Sequence, residues 1–151
     1  MGSTNNSFVL EPATLEDMPS IATLWFDAFT QPIVRKLFPD TPGMRKWVQD
    51  EWYSGDFLKP HYKYVRVVDT DSKDEQGRPR LIAFGKWDTS TPAERGRRFP
   101  LWHADSPFDE CEDLIKGLDG ERNRVMGDQR HYCMLNPISL GTEKFGKVLA
   151  H

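Results

Sequence analysis

The chain has 151 residues, of which 38% are hydrophobic and 28% charged, with a net charge of -3 at pH 7. That length corresponds to one domain, and the acidic balance excludes a broad nucleic-acid surface, which needs clustered positive charge. A mean hydropathy of -0.64 argues against a membrane span, and five Trp and nine Phe argue against a wholly disordered chain. The two cysteines, Cys111 and Cys133, are too few for a disulfide framework and read as buried thiols in a reducing compartment. Residues 1–7 carry neither a basic nor an apolar leader region, so a cytoplasmic location is expected.

In chain order, 1–7 reads as a flexible leader and Phe8 to Pro12 as a first strand. Thr14 is placed to cap a helix whose first turn holds Glu16 and Asp17. Met18, Ile21, Ala22, Trp25 and Phe29 form one apolar face of that helix, which Gln31-Pro32 ends. A second helical stretch covers Ile33 to Phe38. A third starts at Thr41-Pro42 and leaves at Gly55. Tyr62 to Val68 and Arg80 to Trp87 are strands of a hairpin, joined by a polar connection over Asp69 to Pro79. An irregular, arginine-bearing stretch from Thr89 precedes Ser106-Pro107, which reads as a helix start with Ser106 as cap. Phe108, Cys111, Ile115 and Leu118 make its apolar stripe, and Gly117 and Gly120 weaken its far end. His131 to Leu135 reads as a last strand, followed by a divergent tail over 136–151. The order predicts an α+β (mixed α/β) fold with a mostly antiparallel sheet flanked by helices.

The opening Phe8-Val9-Leu10-Glu11-Pro12-Ala13-Thr14-Leu15-Glu16-Asp17-Met18, the helix ending Trp25-Phe26-Asp27-Ala28-Phe29, and the hairpin at 62–87 resemble the GCN5-related N-acetyltransferase (GNAT) superfamily. The long insert at about 89–130 before His131-Tyr132-Cys133-Met134-Leu135 is similar to a fungal branch of it. The resemblance covers 8–135 and implies the N-terminal half of that fold, truncated after the fourth strand. It implies transfer of an acetyl group from acetyl-CoA to an amine of a small molecule or peptide. It further implies that the strand main chain at Met134 and Leu135 pairs with the pantetheine arm. A glycine-bearing loop at a helix N-terminus would hold the pyrophosphate. The nearest candidate for that loop contributes Gly141, Thr142, Gly146 and Lys147, of which Gly146 alone fits the family pattern. The turn after the first helix lines the acceptor pocket in the family, which makes Phe29 a substrate-side candidate, with Trp87 a second at the end of the hairpin strand. No catalytic residue is assigned: the tyrosine that the family uses as acid lies beyond the fifth strand, and Tyr132 comes too early in the pattern.

Other motifs carry less. Gly141 to Lys147 also matches most of a nucleotide-binding P-loop, but Val148 stands where a Ser or Thr must ligate magnesium. His61, His103, His131 and His151 lack ligand spacing, so no metal is expected. Asp105, Asp109, Glu110, Glu112 and Asp113 solvate a helix start better than they make a general base. Two alternatives stand beside the acyltransferase. One is a non-catalytic GNAT-like interaction module, with the open edge at 131–135 pairing to a second copy. The other is an unrelated small-ligand protein with an aromatic pocket.

Overall fold

The computed structural model describes residues 7–130, 133–134 and 138–139. Strand β1 is Phe8–Pro12, β2 is Tyr62–Lys73, β3 is Pro79–Asp88, β4 is Cys133–Met134 and β5 is Ile138–Ser139. They form one sheet in the order β1-β2-β3-β4, with β5 also paired to β3, and each described pairing is antiparallel. The fold is therefore α+β with an antiparallel sheet flanked by helices, as the element order predicts.

Thr14 and Asp17 set the first helical turn. The Thr14 amide donates to the Asp17 carboxylate at 2.7 Å, and the Asp17 amide donates to the Thr14 carbonyl at 3.0 Å. A 3-10 turn, Leu15–Asp17, then leads into α1, Met18–Ala28. Its buried face contains the expected Met18, Ile21, Ala22 and Trp25 and extends to Leu24 and Phe26. Helix α2 is Pro32–Leu37. Helix α3, Pro42–Trp47, is capped by Thr41, whose hydroxyl accepts from the Met44 amide at 3.1 Å. It continues without a break through a π-helical segment, Val48–Tyr53, into α4, Ser54–Phe57. Gly55 thus lies inside a helix rather than at its exit. Within the π segment Val48, Trp52 and Tyr53 are buried.

α1 and the π segment pack together on one side of the sheet, with α1 against β3. Phe38 stacks on Trp52 at 5.9 Å between ring centres, and Trp25 meets Trp52 edge-on at 5.8 Å. Tyr53 carries the contact to the sheet, edge-on to Phe84 at 5.6 Å. Such aromatic pairs add about 0.5–1.5 kcal/mol each beyond area burial.

Four further expectations change. The hairpin is longer than its polar composition suggests, because β2 runs to Lys73 and the turn is only 74–78, held by Asp74 against the Gln76 and Arg78 amides. The insert contains α5, Pro92–Arg95, and one unbroken α6, Phe108–Met126, despite Gly117 and Gly120. Ser106 does not cap α6. Its hydroxyl reaches back to the Leu37 carbonyl at 2.7 Å and ties the insert to α2. Of the α6 stripe only Cys111 is buried, while Phe108 is 59% and Leu118 47% exposed.

Candidate functional site

Alternation along β3 puts Phe84, Lys86 and Asp88 on the helix-covered face, opposite Arg66, Tyr64 and Tyr62 of β2. Lys86 and Asp88 are therefore carried into the core by the same period that buries Phe84. Lys86 forms a salt bridge with Asp56 of α4, and Asp56 also receives the Lys59 ammonium at 3.0 Å. The Lys86 nitrogen sits 4.2 Å from the centre of the Tyr62 ring, with Trp52, Tyr53 and Tyr64 rings at 5.7 to 5.8 Å. This is an aromatic cage around a cation. Burial lowers the Lys86 pKa, and Asp56 opposes that fall.

The same burial raises the tyrosine phenols above their ordinary range, helped by the Asp56 charge at Tyr53, Tyr62 and Tyr64. The hydroxyl oxygens of Tyr62 and Tyr64 are buried and have no hydrogen-bond partner among the described residues.

Asp88 terminates β3 in a second buried network. Its carboxylate accepts from the Ser90 amide at 2.8 Å and from the Ser90 hydroxyl. Arg95 reaches it at 3.0 Å and Arg122 at 3.3 Å. Burial alone would raise the Asp88 pKa. The Ser90 hydrogen bonds and the two guanidiniums outweigh it and hold the carboxyl below its ordinary value.

A cleft of about 600 Å³ opens at this end of β3, with Lys59, His61, Thr89, Glu94, Arg95 and Arg130 on its walls. Arg130 donates to the Thr89 carbonyl at 2.6 Å and to Glu94 at 2.9 Å. Thr89 in turn donates to the His61 carbonyl through its amide and its hydroxyl, both at 2.9 Å.

Of the candidates from sequence, Trp87 and Met134 are brought together: they are main-chain partners between β3 and β4, next to the Asp88–Cys133 pair. Phe29 is half-buried at the end of α1, its ring 5.2 Å from that of Trp25. Neither Phe29 nor Trp87 lines the cleft at the end of β3. Leu135, Gly141, Thr142, Gly146 and Lys147 lie outside the described residues. Sequence reasoning missed Asp56, Lys86, Asp88 and Arg95. The usable signal was the two-residue period that puts Lys86 and Asp88 in step with Phe84. Among the described residues no group of three or more His, Cys, Asp or Glu could hold a metal ion, and no helix is long and apolar enough to cross a membrane.

No protein-family model matches this chain, and no curated protein matches it. Among solved structures, the chain is similar to one described as histone acetyltransferase HPA2 and related acetyltransferase, from Corynebacterium glutamicum. The two share 13% identity at a TM-score of 0.38, over 88% of this chain and 93% of that one. At that distance the assignment of fold class rests on the strand order and pairings themselves.

Proposed function

We propose that this protein is an acetyl-CoA-dependent N-acetyltransferase of the GNAT kind, acting on an amine of a small molecule or peptide. The observation that carries this reading is topological. β1, β2 and β3 are consecutive antiparallel neighbours, α1 to α4 with the π segment fill the connection from β1 to β2, and β4 lies against β3 with Met134 opposite Trp87. That is the order which the resemblance in the opening and the hairpin implies.

The residues present fit a thioester ligand in one respect that matters. In this reading the edge of β4 away from β3 offers main-chain groups to a pantetheine amide. In this reading Met134 and Leu135 pair with the arm, and Gly141, Thr142, Gly146 and Lys147 serve its phosphates. Acetyl-CoA supplies the thioester carbonyl that the amine attacks. The chain's part is to hold the amine beside β4, with Phe29 as an apolar wall on the helix-covered side, while Trp87, out of step with Lys86, stands on the other face of β3. The free, buried Cys111 thiol is in keeping with work in the reducing cytoplasm.

The test is release of free CoA thiol from acetyl-CoA in the presence of a panel of primary amines and lysine peptides. Amine-dependent release supports the reading. Binding of CoA without release for any amine supports the non-catalytic module instead.

A further inference from the structure

The polar groups at the end of β3 are unbalanced in charge. Asp56 holds two cations, Lys59 and Lys86. Asp88 holds Arg95, and Glu94 holds Arg130. The cleft itself is lined by three cations, Lys59, Arg95 and Arg130, and by one carboxylate, Glu94, in a chain that is acidic as a whole. The Arg122 guanidinium also reaches Asp88, at 3.3 Å.

The acids are spent on bracing. Glu94 uses one oxygen on Arg130 and the other on the Thr91 amide at 2.8 Å, and these bonds hold its carboxyl below the usual range. Arg95 is pinned by Asp88 and by the Ser90 hydroxyl at 3.2 Å. Arg130 is pinned by the Thr89 carbonyl and Glu94. The cations are therefore fixed in place before any ligand arrives, which lowers the ordering cost of binding one. His61, also in the lining, has a buried Nε2 with no hydrogen-bond partner among the described residues.

We propose that the cleft bounded by Lys59, His61, Arg95 and Arg130 is an anion site that takes a carboxylate or a phosphate group. Guanidiniums suit such planar or tetrahedral oxyanions because they donate in pairs, and Lys59 adds a point charge in the same lining. The site stands on its own geometry and does not depend on acetyl transfer. If transfer does occur here, it selects an acceptor that carries an acidic group as well as its amine.

The test uses the full chain and thermal unfolding with inorganic phosphate and with succinate, at constant ionic strength set by sodium chloride. Either anion should raise the melting temperature saturably. Arg130→Gln and Lys59→Gln, both at partly exposed side chains, should each weaken the apparent affinity by about tenfold, the loss of one charge-assisted contact. Glu94→Gln should strengthen it, an effect that damage to the fold would not produce. Lys46→Gln, at an exposed lysine outside this cleft, should change nothing. CoA and dephospho-CoA added to the same variants identify the source of the anion. Parallel weakening of CoA binding assigns the site to a cofactor phosphate, and unchanged CoA binding assigns it to a second ligand. An absent response to both anions in the parent chain would overturn the proposal. So would a response that Arg130→Gln and Lys59→Gln leave intact.

Discussion

Lys86 and Asp56 are 30 residues apart in the chain and form a salt bridge in which both side chains are 2% exposed. Removing one member of such a pair strands the other charge away from water. Lys86→Met should therefore cost about 3 kcal/mol, the low end of the usual range, because Lys59 remains on Asp56. Lys59→Met removes a cation that is 41% exposed and should cost less than about 1 kcal/mol. Urea unfolding of the two variants measures the difference. Equal losses would mean that Lys86 is not the buried partner.

The Tyr62 and Tyr64 hydroxyls make the opposite kind of site. Each is a buried polar atom with no partner among the described residues, so its removal should relieve a desolvation cost. Tyr64→Phe should leave stability unchanged or raise it by about 1 kcal/mol. A clear fall in melting temperature would show that the hydroxyl is in fact bonded.

Asp88 gives the pH dependence. Its folded pKa lies below the ordinary 3.8, so between the two values the unfolded chain binds the proton more readily. The contribution is complete above 3.8 and is lost as the pH falls through the folded value. Asp88→Asn has no proton to take up. The stability gap between the parent chain and this variant should be constant near neutrality and should shrink on acidification below about pH 4. A gap that stays constant to the lowest pH at which the fold survives would contradict the network around Asp88.

Helix α6 supplies a prediction from exposure. Leu118 is 47% exposed and Val125 66%, although both are apolar. Leu118→Gln and Val125→Gln should change stability by less than about 0.5 kcal/mol each, whereas Phe38→Ala, in the aromatic cluster, should cost about 3–5 kcal/mol. Chemical denaturation of the three variants checks the ranking, and a large loss at Leu118 would place a packed layer over α6.

How far the sequence reaches is clearest in these same elements. The Thr14 cap, the buried face of α1 and the hairpin are local: each depends on residues within a few positions or on a short repeat, and each is legible. The α6 stripe has the right period, but period alone does not reveal whether another layer stands opposite it, and only Cys111 finds one. The π segment has no signal in the apolar spacing, which reads as one continuous helix through Met44, Trp47, Val48, Trp52 and Tyr53. Lys86 and Asp88 are not singled out by the sequence, because their partners Asp56, Arg95 and Arg122 come from other elements of the fold. The hairpin and the 133–134 segment lie side by side in one sheet, with Trp87 opposite Met134.

The account turns on whether the edge of β4 away from β3 accepts a CoA thioester, and titration of the full chain with CoA while its unfolding temperature is followed tests that directly. A saturable rise is the predicted result, by about 2.7 kcal/mol of added stability once CoA exceeds its dissociation constant a hundredfold. A flat response at millimolar CoA, in a sample with cooperative unfolding, would contradict the acetyltransferase reading.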